Sequence, residues 1–143
     1  MLPDFLNVIL ILSLLVGWVY VSITLENRRI LKSSKERGEA NICEFARSFD
    51  YRNTDTKVIR TVWNYISKEM LCVKGRPFHV RADDHLENDL QIDTEDLEDF
   101  LTDTSKKLNI SIEQTEQNPY YDKVETVADL VHFIDHQKKL TAA

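Results

Sequence analysis

The chain of 143 residues carries three glycines and two cysteines, and each scarcity excludes a class of chemistry. A phosphate-cradling loop needs glycines within a few positions of one another, whereas Gly17, Gly38 and Gly75 are scattered. Cys43 and Cys72 are far apart and lack the paired spacing of a metal or redox site, so they read as free thiols of a reducing compartment. No serine or cysteine is flagged as a nucleophile by its surroundings, and no internal repeat or low-complexity block is visible. Two further absences are local. Phe5 to Thr24 contains no charged residue, and Asp83 to Asp103 contains no Lys or Arg while holding ten Asp or Glu.

The uncharged run is present where a membrane would need it. At about 1.5 Å per residue, twenty helical residues reach roughly 30 Å, the thickness of a bilayer's hydrocarbon core. A cleaved signal is disfavoured, because "MLPD" has an acid and no base and no A-x-A-like site follows. Arg28, Arg29, Lys32, Lys35 and Arg37 follow the run and no base precedes it, so the positive-inside rule predicts an outside N-terminus and a cytoplasmic remainder. Trp18 and Tyr20 fit an aromatic belt at the inner face. The expected organisation is an anchor over 1–25, a basic juxtamembrane segment and linker over 26–41, punctuated by Ser33, Ser34 and Gly38, and a cytoplasmic domain over 42–143. Residues 41–143 hold 20 acidic and 13 basic side chains, a formal charge of −7, which makes nucleic acid an unsuitable partner.

The domain reads as all-α, a small bundle of short helices joined by polar loops. Thr54 to Leu71 repeats Val58, Val62, Tyr65, Ile66 and Leu71 near the helical period, with Thr54 or Asp55 as cap and Gly75 and Pro77 beyond its end. A long loop to Asp93 is pinned by Phe78, Val80, Leu86 and Leu90. The next helix opens at Asp93 or Thr94 and runs to Leu108, burying Leu97, Phe100, Leu101, Thr104 and Leu108. "LNISIEQ" alternates as a short extended segment and "NPYYDK" reads as a loop. Thr126 caps a final helix with Asp129 three residues on and a stripe of Val127, Leu130, Val131 and Ile134.

Acids in the helix over 94–108 need explaining. Glu95 and Asp96 lie in its first turn, where the dipole favours anions by about 0.3–1 kcal/mol each. Beyond that turn the pairs 95/98, 95/99, 96/99 and 99/103 are like charges at i,i+3 or i,i+4, each costing about 0.2–0.5 kcal/mol. With no base interleaved, the arrangement suits a face that docks a basic protein, and Glu95, Glu98, Asp99 and Asp103 are the residues expected to meet it.

"DLQIDTEDLEDFLTDTSKKLNISI" resembles the core of an acyl carrier protein, where D-L-G-x-D-S-L leads into an acidic helix, an I-x-I-like segment and a later T-V-x-D-x-x-x-x-I helix; "TVADLVHFI" resembles the last. It is closer still to a family of bacterial acyl-carrier-like domains of unknown function reading L-x-x-D-L-x-I-D-x-x-D-x-x-x-F-L, here Leu86, Asp89, Leu90, Ile92, Asp93, Asp96, Phe100 and Leu101. The resemblance, over about Val58 to Ile134, implies a four-helix carrier fold whose acidic helix is gripped by partners. In true carriers the serine after the aspartate receives phosphopantetheine; here Thr94 follows Asp93, and Glu95 replaces the leucine. Threonine's β-methyl restricts the rotamers and crowds attack on phosphorus, and its hydroxyl suits a helix N-cap worth about 1 kcal/mol. The expectation is therefore a non-catalytic module with no cofactor, the alternative being a true carrier modified at Thr94.

His132 and His136, four apart in "HFIDH", distantly echo a zinc motif but lack its glutamate and a further ligand, so both are expected on solvated surface. His85 among Asp83, Asp84 and Glu87 does not follow the calcium-loop pattern, and no metal site is expected. The glycosylation pattern at Asn109 has no meaning in a cytoplasmic domain. Trp63 and Tyr65 are expected to pack in the core and at the helix edge.

Overall fold

The computed structural model describes residues 2–38, 41–74 and 78–142. Gly75 and Pro77, expected to follow the end of a helix, lie outside the described residues, as do the side chains of Leu71 and Cys72. The chain divides into two compact units, Met1–Arg37 and Gly38–Ala143, and the described residues are helical with no strand.

The first unit is one helix, α1, Leu2–Arg37. Its stretch Leu6–Leu25 is long and apolar enough to cross a membrane. The charged residues beyond Leu25 continue the same helix to Arg37, about three further turns, within the stretch 26–41 expected to hold the juxtamembrane segment and linker. Gly38 then adopts φ +80, the left-handed conformation that glycine reaches without a Cβ clash and that commonly follows a helix's last turn.

The second unit begins with α2, Ile42–Arg47, whose amide at Cys43 donates to Asn41 Oδ1 at 2.9 Å. Six residues are too few to show a period, so this helix is invisible to pattern reading. It buries Phe45, which meets the buried Phe49 edge-on at 5.1 Å.

Helix α3, Thr56–Lys74, is capped by Asp55, whose carboxylate accepts from Lys57 N at 2.7 Å, while Thr54 is buried. Val58, Val62 and Ile66 are buried as expected and Tyr65 is half-buried. Ile59 and Met70 join them because α3 contacts three other helices, so its apolar arc is wider than one stripe. Phe78, Val80, Leu86 and Leu90 do pin the following loop, with Ile92 alongside. Helix α4, Thr94–Leu108, packs on α3 and buries only Phe100 and Thr104; Leu97, Leu101 and Leu108 are half-exposed.

The loop has a second task. Val127 N and Ala128 N donate to Asp84 O and Ala82 O at 3.0 and 2.8 Å, and Leu86 N donates to Glu125 O at 3.0 Å. With Thr126 N donating to Asp129 Oδ2 at 3.0 Å and Asp129 N to Thr126 Oγ1 at 3.2 Å, every orphan amide of the first turn of α5, Val127–Ala142, has an acceptor.

Helix α5 is buried along more than the expected stripe: Val127, Leu130, Val131 and Ile134 are joined by Phe133, Asp135 and Gln137. Gln137 Nε2 donates to Ser111 O at 2.9 Å and Asn118 Nδ2 to Phe133 O at 2.9 Å. "LNISIEQ" is accordingly held against α5 by side chains, not by a partner strand, and ends in a 3-10 turn at Thr115–Gln117. The histidines are a further correction. His132 stacks on Tyr120 at 5.5 Å and meets Phe49 at 5.9 Å, and Tyr120 also reaches His136 at 6.4 Å, so both are half-buried. The face opposite the stripe is covered by residues 49 and 120, contacts that a helical period cannot show. Among the described residues no group of three His, Cys, Asp or Glu could hold a metal ion.

Candidate functional site: the acidic helix and Thr94

Backbone ahead of α4 turns sharply between Leu86 and Ile92. Ile92 N donates to Leu86 O at 2.9 Å, Gln91 sits in the left-handed region at φ 59, and His85 N donates to Asp89 Oδ2 at 2.9 Å. The chain then enters α4 through Asp93, whose carboxylate accepts from Asp96 N at 2.9 Å. Asp93 is thus the N-cap, and Thr94 is the first helical residue. This overturns the capping role expected of Thr94. Aspartate ranks above threonine as a cap, a preference that would have selected it from the sequence. Thr94 is exposed, and its hydroxyl has no hydrogen-bond partner among the described residues.

Geometry sorts the ten acids of 83–103. Asp84 is buried and accepts from Arg81 N at 2.8 Å, while Asp89 and Asp93 hold the amides of His85 and Asp96. The other seven, Asp83, Glu87, Glu95, Asp96, Glu98, Asp99 and Asp103, are exposed. Their carboxylates have neither ion pair nor hydrogen bond among the described residues, where the ion pairs are Glu44 with His79, Asp55 with Lys138 and Asp135 with Lys139. All four residues expected to meet a partner, Glu95, Glu98, Asp99 and Asp103, fall in this unpartnered group.

Tyr65 holds the face in place. Its ring stacks on Phe100 at 4.0 Å and its hydroxyl donates to the Asp96 carbonyl at 2.9 Å, locking the first turn of α4 to α3. Burial, then the carboxylates of Glu69, Asp96, Asp99 and Asp93, raise its pKa far above the ordinary 10.0. A raised phenol pKa contributes stability that is complete below the unfolded value of about 10 and is lost as pH climbs above it. Tyr65→Phe keeps the stack and drops the bond, and is expected to cost about 0.5–1.5 kcal/mol in urea unfolding at neutral pH. The variant should also lose stability less steeply than the parent at alkaline pH.

Beside Thr94 lies a depression of about 410 Å³ bordered by His85, Leu86, Ile92, Asp93, Leu97 and Val124. Leu97 contributes apolar surface there, while His85 and Asp93 supply polar rims.

These features define a small all-helical domain whose acidic helix has no ion pair among the described residues, preceded in the chain by an apolar helix long enough to cross a membrane. Residues 51–139 match the family described as protein of unknown function DUF1493, and the chain belongs to that family. No curated protein and no solved structure matches the chain significantly.

Proposed function

We propose that this chain is a membrane-tethered interaction module that docks a basic protein partner through Glu95, Glu98, Asp99 and Asp103, without a prosthetic group and without catalysing a reaction. The supporting observation is the set of exposed carboxylates on and before α4 that have no ion pair among the described residues. Self-repulsion on that face is relieved when Lys or Arg of a partner arrives, and complementary charge accelerates and selects the encounter. The apolar helix would cross the inner membrane once, N-terminus outside, and confine docking to the cytoplasmic surface.

Charge reversal tests it. In Glu98→Lys/Asp99→Lys/Asp103→Lys, association with the native partner, measured by in-cell crosslinking, is expected to fall about tenfold or more, with helical content unchanged. Undiminished association would sink the docking reading.

A second reading gains from one observation, the exposed Thr94 hydroxyl that Asp93 releases from capping. A carrier resembling the acyl carriers would hold phosphopantetheine at Thr94 as a phosphodiester, and the group would supply a thiol to which acyl chains are attached. Thr94 supplies the free hydroxyl such a group needs, and the depression beside it is bordered by three carboxylates, Glu87, Asp93 and Glu125, as well as by Leu97. An increment of phosphopantetheine size in the intact mass of protein from its native host, absent from Thr94→Ala, would establish it.

A further inference from the structure

The charge on α1 goes beyond orientation. We infer that the helical extension over residues 26–37 binds the phosphate groups of anionic phospholipids, an inference that rests on the membrane-crossing reading of Leu6–Leu25. The apolar stretch ends at Leu25 and the helix does not, so the chain leaves the hydrocarbon as a rod and not as a loose linker. At about 1.5 Å per residue, positions 28 and 29 stand roughly 5 Å beyond the hydrocarbon edge, inside a headgroup layer about 5–8 Å deep, and position 32 stands roughly 10 Å beyond it, just outside that layer and within reach of a lysine side chain.

Arg28 and Lys32 are exposed, four positions apart on one helix face, and neither has an ion-pair partner among the described residues. Residues 26–37 carry five bases against Glu26 and Glu36, a formal charge of +3. Basic residues within a Debye length of an anionic leaflet are attracted to it, and a continuous helix delivers them at fixed depths. The second unit has the opposite charge, so the extension is the part of the chain outside the span that is suited to an anionic surface.

The test uses the full chain reconstituted into bilayers of equal parts phosphatidylglycerol and phosphatidylcholine, extracted with its surrounding lipid in a polymer-bounded disc. The phosphatidylglycerol share of the co-extracted lipid is expected to exceed the bulk share several-fold, and to return to it in Arg28→Gln/Arg29→Gln/Lys32→Gln/Lys35→Gln or at high salt. Arg28→Lys/Arg29→Lys, which keeps the charge, should keep the enrichment. A bulk ratio around the parent chain, or enrichment that survives the glutamine variant, overturns the inference. Failure of the parent chain to enter bilayers at all overturns the membrane-crossing reading instead.

Discussion

Leu130→Ala is expected to lower the unfolding free energy by about 3 kcal/mol, within the 2–5 kcal/mol range of large-to-small core substitutions. Leu130 is 1 % exposed on α5, the helix that α3, the 82–86 loop and the 111–118 segment all lean against. Its removal therefore leaves a space that several elements must close together, and a space closed poorly costs most. Urea unfolding of the full chain in mild detergent, followed by circular dichroism, would read the loss. Leu140→Ala on the same helix is the control: Leu140 is 37 % exposed, and its truncation should cost less than about 1 kcal/mol. Equal losses at the two positions would contradict the packing described.

Asp135→Ala comes second, with an expected cost of about 2–3 kcal/mol. Asp135 is buried and accepts the amide of Asp55 at 2.8 Å, so the carboxylate of one helix satisfies the residue that caps another. Its contact with Lys139 Nζ at 2.6 Å contributes less, because that lysine is 60 % exposed and water screens the pair. Asp135→Asn, which retains an acceptor for Asp55 N, should recover most of the loss, whereas Lys139→Ala should cost little.

Asp55 adds a pH dependence at the same junction. The hydrogen bond from Lys138 holds its carboxyl below the ordinary 3.8. A lowered native pKa means that this stabilisation is complete above the unfolded value of about 3.9 and is lost as pH falls through the native one. Lys138→Met should therefore flatten the acid limb of the stability curve; an unchanged limb would show that the pair does not act as described.

Periodicity found the long elements and missed what lies between them. Val58, Val62, Ile66, Val127, Leu130, Val131 and Ile134 were legible because they form the part of each buried arc that repeats at the helical period. Asp135, Gln137 and Asn118 are buried for a reason no spacing carries: each satisfies backbone groups of a segment remote in sequence. His132 is covered by the rings of Phe49 and Tyr120, which come from other segments and leave no mark in the spacing of α5. At the candidate site the surplus of acid was legible, but its division was not. Which carboxylates cap or brace, and which are left facing solvent, depends on amides that the turn at Gln91 aims at Asp89 and the helix entry aims at Asp93. Thr94 passed from cap to free hydroxyl by that same one-residue difference in where the helix begins.

The junction of α3 with α5 also sets an order of events during synthesis. Asp55 and Asp135 are 80 residues apart, so the amide of one waits for the carboxylate of the other while the intervening chain is made. At about 5–20 residues per second that interval lasts roughly 4–16 s. Throughout it, Val58, Val62 and Ile66 have no α5 to cover them, although α2, completed earlier, can already shield part of α3. Nascent chains halted before α5 should therefore be cut by protease within α3, and chains extended past Asp135 should resist.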